Sequence, residues 1–300
     1  MVQSLNNKFA PRGNIFFKSG KGGHVYAKID NRFAACEVSL YGAQVLSFEP
    51  HGEPDIIWLS KKSHYDKGKA IRGGIPVCFP WFGPHAEEKT YPQHGFARLI
   101  DWQVENVNNN PDGTTYIALY LCQNDFTKTY WPYDFEARVI ITVGEQLKVE
   151  LKVTNTGTEE FSYTDALHTY FHVSNIEDIC VEGLMNAKFY NGPGATQLEA
   201  QNVEQLTITK EENRRYIGHS GACSFIDNGY NRKITIEKTG SNTTVLWNPW
   251  ADTIKTMGDM PSDGYKNMLC IEPANAFNDI IALKAGESHT LSTIIGYSKY

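Results

Sequence analysis

The chain has 300 residues, 41% of them hydrophobic and 21% charged, which suits a soluble globular protein with a sizeable core. A net charge of −6 excludes a broad basic field for nucleic acid, so any anion must be met by a local cluster of arginines. No apolar run approaches the ~18 residues that span a membrane, and Met1–Pro11 is polar, without the apolar centre of a signal peptide. Six cysteines occur and none forms a C-x-x-C pair, so the expectation is a reduced, cytoplasmic protein without a zinc or redox motif.

Residues 1–23 read as a lead-in, loose over its first twenty residues. Ser19-Gly-Lys-Gly-Gly23 has the look of a phosphate loop, but the motif's earlier glycine and its Ser or Thr after Lys21 are both missing. A turn before His24 is the better reading.

Strand patterns then follow. His24–Asp30 alternates as a half-buried strand should. Short strands are expected over Phe33–Leu40, Gln44–Phe48 and Asp55–Leu59.

The stretch from Arg72 to Arg98 is different in kind. It runs Arg72-Gly-Gly-Ile-Pro-Val-Cys-Phe-Pro-Trp-Phe-Gly-Pro and ends Gln93-His94-Gly-Phe-Ala-Arg98. Pro76, Pro80 and Pro84 lack amide donors and have fixed φ, which rules out a helix or a central strand. Its aromatics are too many for a free linker. A rigid packed loop with an arginine at each end remains, either structural or functional.

Further strands are expected over Trp102–Val107, Thr114–Gln123, Phe135–Val143 and Gln146–Thr154, with a hairpin signal at Gly144-Glu145. Phe161–Val173 is the longest. Its alternation places Ser162, Thr164, Ala166, His168, Tyr170 and His172 on one polar, aromatic face, as along the wall of a groove. His168 and His172 lie about 13 Å apart on a strand, too far to share a metal ion. A groove-facing histidine suits acid–base work, although a hydrogen-bonded structural histidine reads the same way.

Shorter strands recur at 178–182, 187–190, 205–209, 223–226, 232–238, 243–247, 268–274 and 288–297, and only 251–257 suggests a turn or two of helix. In Met268-Leu-Cys-Ile-Glu272-Pro, apolar residues lead straight into a carboxylate. A buried glutamate is costly when ionised and alone, so Glu272 is either functional or paired with an arginine. Many strands at short, even spacing, with no composition break, predict an all-β chain folded as one large antiparallel β-sandwich over 24–300, with few short helices.

The Arg72–Pro84 and Gln93–Arg98 segments, Leu167-His168-Thr-Tyr-Phe, Trp247-Asn-Pro-Trp250 and Cys270-Ile-Glu272 resemble, in order and spacing, the glucose-6-phosphate 1-epimerases, or hexose-6-phosphate mutarotases, of the aldose-1-epimerase superfamily. The resemblance runs from about residue 24 to the C-terminus. It implies a large antiparallel sandwich with a concave substrate face and cofactor-free, metal-free interconversion of the α and β anomers of a hexose 6-phosphate. A cytoplasmic monomer with no nucleic-acid or membrane partner is the accompanying expectation. Carried over by motif, His168 resembles the general acid and Glu272 the general base. Arg72, Gln93 and Arg98 resemble substrate-binding positions, with His94 beside them. One position departs. The family commonly has aspartate in a Glu-x-Asp-Arg-x-Tyr segment, whereas Glu211-Glu212-Asn213-Arg214-Arg215-Tyr216 puts Asn213 there, unless a one-residue shift places Glu212 instead. Asparagine keeps an acceptor, gains donors and loses the charge.

Rival readings are a mutarotase of non-phosphorylated aldoses, which needs the acid–base pair without the arginines, and a catalytically silent sugar- or sugar-phosphate-binding protein. A retaining glycosidase needs two carboxylates about 5–5.5 Å apart, and Asp165 is predicted on the face opposite His168.

Overall fold

The computed structural model describes residues 1–300, the side chain of Arg12 excepted. Two eight-stranded sheets dominate, and every strand pair in them is antiparallel. The outer sheet runs, in spatial order, Ile179–Glu182, Cys223–Asp227, Arg232–Thr239, Ser288–Lys299, Leu147–Asn155, Phe135–Val143, Thr115–Cys122 and Gln103–Asn109. Its hairpin Phe135–Val143/Leu147–Asn155 buries every second residue, the alternation expected of a sheet with one wet face.

The site-bearing sheet has the order Glu199–Ala200, Lys188–Asn191, Glu212–Ile217, Thr243–Asn248, Met268–Asn275, Asp165–Leu167 and Val77–Cys78, with Tyr170–His172 also paired to Met268–Asn275. All eight residues of Met268–Asn275 are buried. Leu269 and Ile271 enter the main core between the sheets, while Cys270 and Glu272 leave by the opposite face. That split is why an almost apolar strand can deliver a carboxylate to a cavity.

The lead-in is not loose. Val2–Phe9 is a helix, and Ile15–Ser19 pairs antiparallel with Val25–Asp30 to open a four-stranded sheet that continues through Ala34–Ser39 and Gln44–Pro50. Phe9, Ile15 and Phe17 belong to the main core. With only five alternating residues, the strand at 15–19 carries little periodicity, and its place is decided by the neighbour it pairs with.

Three strand expectations need correction. Asp55–Leu59 makes only isolated bridges, Ile57 to Phe171 and Leu59 to Gly73. The 205–209 segment makes one, Leu206 to Val181, and the strand of that region lies later, at Glu212–Ile217. The long strand from 161 to 173 is broken into Phe161–Tyr163, Asp165–Leu167 and Tyr170–His172. The breaks fall at Thr164, whose hydroxyl accepts from the Phe82 amide, and at His168-Thr169, where the amide of His168 donates to the Pro76 carbonyl. The rigid loop thus interrupts the strand it rests on.

That loop is packed as expected. Phe79 makes edge contacts with Phe96, Trp131, Phe135 and Tyr163. Val77–Cys78, between Pro76 and Pro80, forms a two-residue strand at the edge of the sheet, the place where missing donors are tolerated. At Gly95 φ is +73°, and a Cβ there would lie 2.0 Å from the Phe79 carbonyl oxygen, so only glycine fits.

Candidate active site

A cavity of about 560 Å³ opens on the face of the sheet that Glu272 occupies. Its lining includes Arg72, Gln93, His94, Arg98, His168, Asn213 and Glu272, so all the residues singled out in the sequence meet in one place.

His168 and Glu272 form its floor. They come from adjacent segments of the sheet, with His168 Nδ1 3.4 Å from Glu272 Oε1, and they are 8% and 1% exposed. No arginine lies within ion-pair distance of Glu272 among the described residues, so the simple arginine-pair alternative does not apply. His168 Nδ1 and Glu272 Oε2 make no hydrogen bond within the protein. Buried polar atoms in that state call for a partner, whether a proton, a water or a ligand, and both residues border the cavity.

The electrostatics of the pair are set by burial and by two cations. Burial raises the Glu272 carboxyl well above its ordinary value, against the pull of Arg98. Burial first, then Arg98 and Arg72, lowers His168 to about 3. Without ligand the imidazole is therefore neutral and the proton of the pair favours the carboxyl. Tyr170 stacks on His168 with ring centroids 4.8 Å apart, and Trp247 meets it edge-on at 6.2 Å. Those rings fix the imidazole plane.

His94 closes the third side. It sits at φ +63°, a left-handed conformation uncommon outside glycine, and its Nδ1 accepts from the Gly83 amide at 3.1 Å. Burial, followed by Arg98, His168 and Arg72, keeps it well below its ordinary value. Its ring stands 5.6 Å from that of His168.

The two arginines differ. Arg72 bonds through Nε to Asp259 at 2.9 Å and through a terminal nitrogen to the Tyr170 hydroxyl at 3.0 Å. Arg98 donates to the Gln93 carbonyl at 2.7 Å, its Nε is buried without a partner, and no carboxylate lies within ion-pair distance among the described residues. Gln93 itself is exposed at the rim.

Asn213, not Glu212, faces the cavity. Glu212 is buried and holds Arg214 through two bonds at 2.6 and 2.8 Å. Strand alternation then brings Asn213 and Arg215 to the other face, where both line the cavity. Arg215 escaped the sequence reading, as did Asp259 and Phe277. Arg215 lies against Phe277 at 4.7 Å and donates to the Gly192 carbonyl. The signal available in the sequence was its two-residue spacing from Asn213. Of the expected groove-facing row, His168 and Tyr170 reach the cavity, while His172 bonds the Asp55 carbonyl elsewhere. Asp165 is fully buried and bonded to Asn275, away from the floor.

An antiparallel sheet that brings an imidazole against a carboxyl at the floor of a cavity of this size defines a class of protein able to exchange protons with a small polar ligand. The aldose 1-epimerase sequence profile matches residues 26–296, and the chain belongs to the aldose 1-epimerase family. It is 34% identical over 266 residues, 89% of this chain and 88% of the relative, to an Escherichia coli protein named "Putative glucose-6-phosphate 1-epimerase". A Cenchrus ciliaris protein of the same name is 35% identical over 85% of this chain and 79% of its own. The crystal structure of a protein titled a putative mutarotase, from Salmonella typhimurium, superposes with a TM-score of 0.88 at 29% identity, covering 95% and 94% of the two chains. This chain is accordingly an epimerase of sugars.

Proposed function

We propose that the protein interconverts the α and β anomers of hexose 6-phosphates, chiefly glucose 6-phosphate, with His168 and Glu272 as the acid–base pair and Arg98 and Arg72 holding the phosphate. The observation that carries this reading is the 3.4 Å approach of His168 to Glu272 at the floor of a cavity whose wall holds Arg98 without a carboxylate partner.

Anomerisation opens a cyclic hemiacetal and recloses it on the other face of C1. One group takes the proton of the C1 hydroxyl while the other protonates the ring oxygen, and the C1–ring-oxygen bond breaks as the C1 carbonyl forms. Rotation about C1–C2 and the reverse transfers give the other anomer. Burial is the largest cause that depresses His168, and a phosphate on Arg98 and Arg72 offsets the two charges that add to it, so the imidazole gains part of its basicity when substrate is bound. In the proposed cycle His168 acts as acid toward the ring oxygen and Glu272 as base toward the hydroxyl. Charge-assisted, bidentate contacts from the arginines would fix the distance from phosphate to C1. All six cysteines are free thiols, which supports action in a reducing cytoplasm.

Anomer-exchange NMR on glucose 6-phosphate and on glucose tests this. His168→Ala and Glu272→Ala are expected to slow exchange roughly 10²–10⁴-fold each, and Arg98→Ala to raise KM for the phosphorylated sugar while leaving the slow exchange of glucose alone. The Asp259 contact, which already offsets the charge of Arg72, favours a second reading in which the substrate is an unphosphorylated aldose. Equal activity on both sugars in the unsubstituted protein would select that reading.

A further inference from the structure

The face of the sheet that carries Glu272 also carries a thiol. Cys270 stands two residues earlier on the same strand, so both side chains leave on one side. Tyr170 is the cross-strand neighbour of Cys270, which brings His168, two residues before Tyr170, into the same corner. One ring nitrogen of His168, the sulfur of Cys270 and one oxygen of Glu272 all lie within 4.8 Å of one another. No spacing motif announces the trio, because its members come from separate segments that only the sheet brings together.

The three residues are buried, and two of their polar atoms, His168 Nδ1 and Glu272 Oε2, have no hydrogen-bond partner in the protein. Imidazole, thiolate and carboxylate are the donor types that hold zinc, at about 2.0–2.3 Å each. A tetrahedral ion needs such donors roughly 3.3–3.8 Å apart, so side-chain rotations of about an ångström close the present triangle. The mixed donor set disfavours magnesium and calcium, which require oxygen ligands. The edge formed by His168 and Glu272 lines the cavity, which leaves the fourth position open to solvent or to a ligand.

We propose that His168, Cys270 and Glu272 form a binding site for zinc, or a divalent ion of similar softness, whose occupation blocks the acid–base pair. The inhibitory half rests on the roles proposed above for His168 and Glu272; the binding half does not. On binding, the Cys270 S–H bond breaks, a metal–sulfur bond forms and the proton passes to solvent. No electron is transferred. Any proton on Glu272 leaves in the same way, so metal uptake releases acid and strengthens as pH rises.

Cobalt(II) serves as the probe for binding and zinc as the probe for inhibition, both on the full chain. Cobalt is expected to give a near-ultraviolet thiolate-to-metal charge-transfer band that zinc displaces. Zinc is expected to stop anomer exchange at one ion per chain, with recovery on adding a chelator. Cys270→Ser should retain metal-free exchange, lose the band and bind zinc at least about tenfold more weakly. Cys270→Ala, checked by circular dichroism, serves if the serine variant misfolds. Absence of the band, or an unchanged band in a folded Cys270 variant, would overturn the site. A band that depends on Cys270 while zinc-loaded protein still exchanges anomers at full rate would keep the binding site and overturn the proposed roles of His168 and Glu272.

Discussion

At the scale of single residues, burial without charge compensation is the recurring device, and Asp165 shows it apart from the cavity. Its Oδ1 accepts from Asn275 Nδ2 at 2.9 Å, while Asp165 Oδ2 and Asn275 Oδ1 have no partner. A proton on Oδ2 supplies the donor that the Asn275 oxygen lacks and closes a two-bond acid–amide pair. Burial raises the carboxyl to about 7, against the bonds from Asn275 that lower it. The folded pKa thus exceeds the unfolded value near 3.9. Between the two, the unfolded chain has released the proton that the folded chain retains, so this group's contribution declines as pH rises from about 4 to about 7. Asp165→Asn forms the same paired geometry without titrating. It is expected to be more stable than the parent at pH 7.5, by a few kcal/mol, with the gap closing toward pH 4.5 in urea unfolding. A gap independent of pH would show that Asp165 is ionised in the folded chain. Nothing in the alternation of 161–173 reveals this pair, since Asp165 and Asn275 meet only as cross-strand neighbours. By contrast, His168 and Glu272 were legible as candidates. A histidine on an aromatic strand face and a carboxylate inside an apolar run both break the local pattern.

At the scale of elements, the loop from Arg72 to Arg98 and the broken strand from 161 to 173 form one unit. The loop contributes Val77–Cys78 to the sheet, accepts the His168 amide at Pro76, and turns back through Gly95 against Phe79. Gly95 lies between His94 and Arg98, so its backbone sets where both side chains enter the cavity. Gly95→Ala forces a Cβ to within 2.0 Å of the Phe79 carbonyl oxygen at φ +73°. The expected loss is about 1–3 kcal/mol from the strained backbone alone, together with a raised KM for glucose 6-phosphate. Thermal unfolding and steady-state anomer exchange would report the two effects, and unchanged values for both would remove the loop from the positioning of His94 and Arg98. The prolines made this loop recognisable in sequence because they forbid the regular alternatives. Its effect on the following strand was not recognisable, because the hydrophobic period of 161–173 continues straight through the two breaks. Periodicity reports which face is buried; it does not report which backbone amides bond to a segment distant in the chain.

At the scale of the whole molecule, residues ahead of the first strand expected from sequence prove to be structural. Phe9, Ile15 and Phe17 are buried in the same core that reaches Ile295. Phe17→Ala should therefore cost about 3–5 kcal/mol, measurable as a lower urea midpoint with an unchanged slope, whereas a detached lead-in would give no change. Among the described residues no helix is long and apolar enough to cross a membrane. Composition, alternation and turn residues by themselves determined the all-β class, most strand positions and the standing of His168, Glu272 and the loop's two arginines as candidates, while Gln93, His94 and Asn213 came from the family resemblance. These are local properties: side chains two apart share a face, and prolines and glycines limit the backbone where they stand. Only the tertiary structure decided that His168 faces Glu272, that Arg72 is met by Asp259 while Arg98 is not, that Asn213 and Arg215 look into the cavity in place of Glu212, and that Cys270 joins the corner. Each of those facts depends on which strands become neighbours and in what register. That choice is made by burial of the two sheets against each other, so no single stretch of sequence contains it.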